Sequence, residues 1–139
     1  MQETVPDDPR KAPKLRVLIV DDDARVRRAL RSLLQCSPDL TVAGEAGSAR
    51  SAKRLDLELL PDVVVLDLLL PQAPEGMDVL WELRGRGRPV VAMSCMGELG
   101  PQAMGAGAYA FLEKHGQDVD DLLDMIRAAY RHDPWPRGG

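Results

Sequence analysis

Pro61-Asp62-Val63-Val64-Val65-Leu66-Asp67-Leu68-Leu69-Leu70-Pro71 is the stretch whose reading decides the fold. Between Asp62 and Asp67 stand only Val63, Val64, Val65 and Leu66, so the run has no polar face. That is the pattern of a central parallel strand covered on both sides by helices. Ligands of open parallel sheets bind just beyond the carboxyl ends of the strands, which is where Asp67 closes this run. Taken alone, an acid at that place reads more readily as a helix cap or a solvated strand end than as a chemical site. The segments on either side decide between the two.

Upstream, Leu15-Arg16-Val17-Leu18-Ile19-Val20 is a second β-branched run, and it ends in Asp21-Asp22-Asp23. It reads as the first strand, with three carboxylates at its carboxyl end. Val26, Leu30, Leu33 and Leu34 then recur at helical spacing, predicting a helix over Ala24 to Gln35 with Asp22 or Asp23 placed to cap it. Arg25, Arg27, Arg28 and Arg31 cover its other side and read as a solvated face, the alternative being a docking surface for an acidic partner. Leu40 to Ala46 reads as the second strand, followed from Ser48 by a helix that turns Ala52, Leu55 and Leu59 or Leu60 inward and stops at Pro61.

Downstream of Asp67 comes a loop from Pro71 to Gly76, then a short helix marked by Val79, Leu80 and Leu83 that runs out in Gly85-Arg86-Gly87-Arg88. Pro89 to Ser94 is the fourth strand and ends in a hydroxyl. Gly97, Gly100, Pro101 and Gly105 are costly inside a helix, so the next helix should be short and poorly anchored. Tyr109 to Leu112 is the fifth strand, leading to Lys114, and Val119, Leu122, Leu123, Ile126 and Ala129 mark the final amphipathic helix.

Strict alternation of strand and helix predicts one α/β domain: a flavodoxin-like, doubly wound five-stranded parallel sheet of order 2-1-3-4-5 with helices on both faces. The domain is expected to span 15–131, preceded by a disordered lead-in over 1–14 and followed by a linker stub over 132–139. The chain of 139 residues is the size of one domain, and 45% hydrophobic with 29% charged residues is ordinary for a globular protein. No apolar run is long enough for a bilayer, no signal peptide is visible, and Cys36 and Cys95 have no metal-ligand spacing; a reducing cytoplasm fits. A net charge of −4 argues against this domain itself gripping nucleic acid.

The predicted sheet gathers Asp21, Asp22, Asp67, Ser94 and Lys114 at one edge, and polar residues so distributed do not converge by chance. Crowded carboxylates repel one another unless a cation is bound, and an all-oxygen set with room for waters suits Mg²⁺. A phosphoryl group on Asp67 would then meet a metal, the Lys114 ammonium and the Ser94 hydroxyl.

The motifs VLIVDDD, PDVVVLDLLLP, VVAMSC and GAYAFLEK, in this order and spacing, resemble the receiver domain of bacterial two-component response regulators, the CheY-like fold, over about Leu15 to Arg131. The resemblance implies that Asp67 accepts a phosphoryl group from a sensor histidine kinase. It also implies that Asp21, Asp22, Asp67 and the backbone carbonyl of Leu69 hold Mg²⁺, and that Lys114 and Ser94 contact the phosphoryl group. Ser94 and Phe111 stand in the switch positions, whereas Tyr109 does not. On this resemblance the chain is not an enzyme but a domain that assists its own phosphorylation and dephosphorylation, and association as a homodimer is the expectation when it is modified. The ending Ile126 to Arg131 before a proline-rich segment resembles the NarL/FixJ type, which implies transcription regulation through a DNA-binding domain not in this chain.

The chain departs from the family in a longer loop after Asp67, a shorter interval from Ser94 to Lys114, and His115 where a proline is usual. Leu69 and Met96 stand where polar side chains flank the path of the hydrolytic water, which predicts slow loss of the phosphoryl group. Cys95 is expected to be a small buried residue. A phosphorylation-independent interaction module is the alternative, against which the intact acids, Ser94 and Lys114 count. A dinucleotide-binding enzyme is disfavoured, because Asp21-Asp22-Asp23 occupies the place of a glycine-rich phosphate loop.

Overall fold

β1 (Leu15–Val20) runs between β2 (Leu40–Ala46) and β3 (Val63–Asp67), parallel to both. β4 (Val90–Ser94) lies beside β3, and β5 (Ala110–Glu113) beside β4, so the sheet has the order β2-β1-β3-β4-β5 that the alternation predicts. The connecting helices are α1 (Ala24–Gln35), α2 (Ala49–Leu59), α3 (Glu75–Gly85), α4 (Gly100–Gly105, led by a 3-10 turn over Gly97–Leu99) and α5 (Val119–His132). This computed structural model describes residues 13–70, 75–114 and 119–134. Residues 1–12 of the expected lead-in, 71–74 of the loop after Asp67, His115 and the tail from 135 lie outside the described residues.

The period of two in the strands divides the core. Leu18, Val20, Val64, Leu66 and Ala92 face α2, α3 and α4 through Ala52, Val79, Leu80, Leu83 and Ala103. Val17, Ile19, Val63, Val65, Val91 and Met93 face α1 and α5 through Leu34, Leu122, Leu123, Ile126 and Ala129. The unbroken run Val63 to Leu66 is buried throughout because each face has its own layer of helices. At about 1.5–3 kcal/mol per fully buried aliphatic side chain, this strand is a firm platform for the acid that ends it.

Local chemistry sets the element ends. Asp23 caps α1 by accepting from the Arg25 N–H, and Ser48 caps α2 in a box with Ser51. α2 ends at Leu60, which takes a left-handed φ of 48° and is exposed, so Leu59 is the residue turned inward. The helix before β5 is short, as its glycines predict, yet it is anchored: Ala103 is fully buried and its carbonyl accepts from the Ala108 N–H.

Two buried carboxylates, Asp56 and Asp133, anchor ion pairs that brace the end of the sheet opposite the Asp67 edge. Asp56, fully buried on α2, accepts from Arg86 at 2.9 Å and Arg88 at 2.7 Å. Arg84 of α3 grips both oxygens of Asp133 at 3.1 Å, where neither side chain is more than 2% exposed. Packing therefore continues through His132, the last residue of α5, to Asp133, beyond the Arg131 boundary read from the sequence.

Candidate functional site

The strand ends converge as the topology requires. Asp21 follows β1 and is fully buried, Asp67 ends β3 and is 2% exposed, Ser94 ends β4 fully buried, and Lys114 follows β5. Asp22, next to Asp21, is exposed. One carboxylate oxygen from each of Asp21, Asp22 and Asp67 lies within 4.8 Å of the others.

Lys114 ties the cluster together. Its Nζ donates to Asp21 Oδ2 at 2.9 Å and to Asp67 Oδ2 at 3.1 Å. The other oxygen of Asp67 accepts from the Leu69 N–H at 3.0 Å, and Asp21 Oδ1 accepts from the Asp23 N–H at 2.9 Å. Burial pushes the Asp67 carboxyl above its ordinary value; the charge of Asp21 adds to this, while the Leu69 N–H and Lys114 oppose it. Burial acts against the Lys114 ammonium too, but the hydrogen bonds and charges of Asp21 and Asp67 outweigh it and raise its pKa. The site is thus a buried carboxylate paired with one ammonium.

Ser94 is brought to the same edge. Its carbonyl accepts from the Lys114 N–H at 3.0 Å, and its Oγ accepts from the Met96 N–H at 3.0 Å, leaving the hydroxyl hydrogen to donate elsewhere. Phe111 lies farther along β5, half-buried against α4: a methyl group built on Gly100 would sit 3.1 Å from its ring. Tyr109 packs on the opposite face of the sheet, with α5. Leu69 is half-buried, Met96 is 39% exposed, and Cys95, expected to be buried, is exposed beside Ser94.

Gly76, read as the loop glycine, lies in the first turn of α3. A Cβ there would come within 2.1 Å of the Leu68 carbonyl oxygen, so only glycine lets α3 start against the backbone that follows Asp67. The donor set suits a hard divalent cation: three carboxylates in reach of one another, one of them exposed and so open to metal-bound water.

Sequence reasoning missed a residue at this edge. Arg27, read with its neighbours as solvated surface, turns back from α1 to the carbonyl of Asp21, at 2.6 Å. Its helical phase does not set it apart from Arg25 or Arg28; only the closeness of β2's Glu45 across the fold does.

The chain matches the response regulator receiver domain family over residues 17–127. The protein-glutamate methylesterase/protein-glutamine glutaminase 1 of Dechloromonas aromatica is 36% identical over 129 residues, 84% of this chain and 37% of that protein. This chain therefore spans little more than a third of the length of the curated relatives it matches. Among solved structures, the response regulator domain of Thermotoga maritima CheB is 30% identical, with a TM-score of 0.77 over 87% of this chain and 99% of that one. The signal receiver domain of the putative response regulator NarL from Mycobacterium tuberculosis is also 30% identical, with a TM-score of 0.72 over 83% and 98% of the two chains. Methylesterase and NarL relatives stand side by side, so the comparisons carry the family rather than the NarL/FixJ subgroup. With the fold and the acid edge in agreement, the chain belongs to the response regulator receiver domain family.

Proposed function

We propose that this domain is a phosphoryl-accepting switch whose acceptor is Asp67 and whose donor is a histidine kinase. The observation that carries the reading is Lys114 Nζ, held 2.9 Å from Asp21 and 3.1 Å from Asp67 at the rim of a buried acid cluster. An ammonium so placed serves a group that gains negative charge on Asp67, which a module that only binds partners would not need.

A carboxylate oxygen of Asp67 attacks the phosphorus of a phosphohistidine. The O–P bond forms as the P–N bond breaks, and the bond's electron pair goes to the imidazole, which is protonated as it leaves. Lys114 follows the charge onto a phosphoryl oxygen, and the Ser94 hydroxyl donates to another. Asp21, Asp22, Asp67 and the Leu69 carbonyl would hold Mg²⁺, whose chemistry is to neutralise charge on the phosphoryl oxygens. Later hydrolysis returns Asp67 to the carboxylate, so the domain assists its own phosphorylation and dephosphorylation rather than turning over a separate substrate.

Movement of Ser94 and Phe111 toward the phosphoryl group then alters how the domain associates, with a second copy or with an output domain. Transcription regulation through a DNA-binding domain outside this chain is the output suggested by the NarL/FixJ resemblance. The methylesterase relatives favour a second reading, control of a catalytic domain. Both place the domain in the cytoplasm with its kinase; no helix among the described residues is long and apolar enough to cross a membrane. Incubation with acetyl phosphate and Mg²⁺, followed by intact mass, tests the proposal. A gain of one phosphoryl group that is lost with chelator is expected, and no gain under any condition contradicts it.

A further inference from the structure

The turn that carries Asp21 and Asp22 is fixed from three directions. The Asp21 N–H donates to the Ala46 carbonyl at 3.0 Å, and the Asp23 N–H donates to Asp21 Oδ1 at 2.9 Å. The third tie is the Arg27 guanidinium, whose Nη1 donates to the Asp21 carbonyl at 2.6 Å. That guanidinium is itself seated. Its Nε lies 3.5 Å from Glu45 Oε1, and the other Glu45 oxygen takes Arg31 Nη1 at 2.5 Å. Gly47 leaves the space: a Cβ there would come within 3.1 Å of Arg27 Nη1. The Arg27 and Glu45 side chains are only 22% and 23% exposed, unlike Arg25 on the same helix at 86%.

We infer that Arg27, seated by Glu45 and Gly47, is a positioning residue that holds the Asp21–Asp22 turn in the geometry a divalent cation requires. A guanidinium can do this where an ammonium cannot, because its planar fork bonds a carbonyl and a carboxylate at once from fixed directions. The inference rests on the metal role proposed above for Asp21 and Asp22.

Charge and position make opposite predictions. Acting only as a charge, Arg27 would repel a cation from the acid cluster, so its removal would tighten binding. Acting as a positioner, it restrains the turn, so its removal loosens the acids and weakens binding. Losing such an outer partner of a metal ligand costs about tenfold or more in metal affinity.

The test is calorimetric titration of the full chain with Mg²⁺ alone, comparing wild type with R27Q, R27K and E45Q, each melted in metal-free buffer to confirm folding. Positioning predicts affinity weakened about tenfold in R27Q and also in R27K, which keeps the charge but not the fork. E45Q, which leaves Arg27 in place but loosens its seat, should fall between these and wild type. Unchanged or tighter binding in R27Q, or wild-type affinity in R27K, overturns the inference while the metal site stands. A wild-type domain that binds no Mg²⁺ overturns both.

Discussion

The guanidinium of Arg84 and the carboxylate of Asp133, 49 residues apart in sequence, form a two-pronged ion pair that is almost wholly buried. It joins the end of α3 to the residue after α5. A third Arg84 bond, to the Arg88 carbonyl at 2.5 Å, carries the tie to the turn that enters β4. The residue that follows α5 is thus fastened to the turn that leads into the strand ending in Ser94.

Removing one partner of a buried pair strands the other charge away from water. D133N is therefore expected to cost about 3 kcal/mol, a fall in Tm on the order of 10 °C. A chain cut after Arg131 should lose a similar amount. Thermal unfolding checks this, and an unchanged Tm in both would show that the pair contributes nothing net.

Asp67 is expected to be a liability to the fold. Its folded-state pKa lies above the ordinary 3.8, so the protonated form favours folding, and the ionised form forgoes stability once pH rises through the folded-state value. In metal-free buffer D67N should exceed wild type in stability at neutral pH. The gap should narrow as pH falls and the Asp67 carboxyl takes up its proton. Urea unfolding across this range tests the sign; a gap that widens toward acid contradicts it.

The fold was legible because strand burial here is nearly absolute. Val17 to Val20, Val63 to Leu66 and Val90 to Ala92 admit only aliphatic residues, and such runs announce themselves in a single sequence. The acids and Lys114 were legible for the same reason, each standing where an apolar run stops. What stayed hidden depends on tertiary pairing of charged side chains. Asp56 looks like any polar residue of an amphipathic helix, and Arg86 and Arg88 look like a solvated turn, until α2 and the turn before β4 are laid side by side. Asp133 stands next to a proline and reads as linker, and nothing near it in sequence points to Arg84.

Loss of the phosphoryl group from Asp67 should be slow, because Leu69 and Met96 cannot hydrogen-bond an attacking water. Tenfold slowing needs only about 1.4 kcal/mol of barrier. Replacing Leu69 with Asn and Met96 with Gln is expected to quicken decay about tenfold in a timed mass assay. Unchanged decay in the double mutant would refute the role given to these side chains.

Phosphorylation should also change association. Phe111 rests against Gly100 in a half-buried seat, and its departure would remodel the surface of α4 and β5. A coupling of about 1–3 kcal/mol shifts a balanced monomer–dimer equilibrium but not a strongly biased one. Sedimentation with and without beryllofluoride and Mg²⁺ should show a shift toward dimer, and identical profiles over a wide concentration range would exclude dimerisation as the switch.

The central claim is that Asp67 takes the phosphoryl group, and the most direct measurement is intact mass of wild type and D67N after identical treatment with acetyl phosphate and Mg²⁺. The account predicts one added phosphoryl group on wild type and none on D67N, whose amide keeps the shape of the site but lacks the nucleophilic oxygen. Equal labelling of the two proteins, or a wild type that gains no mass, would contradict it.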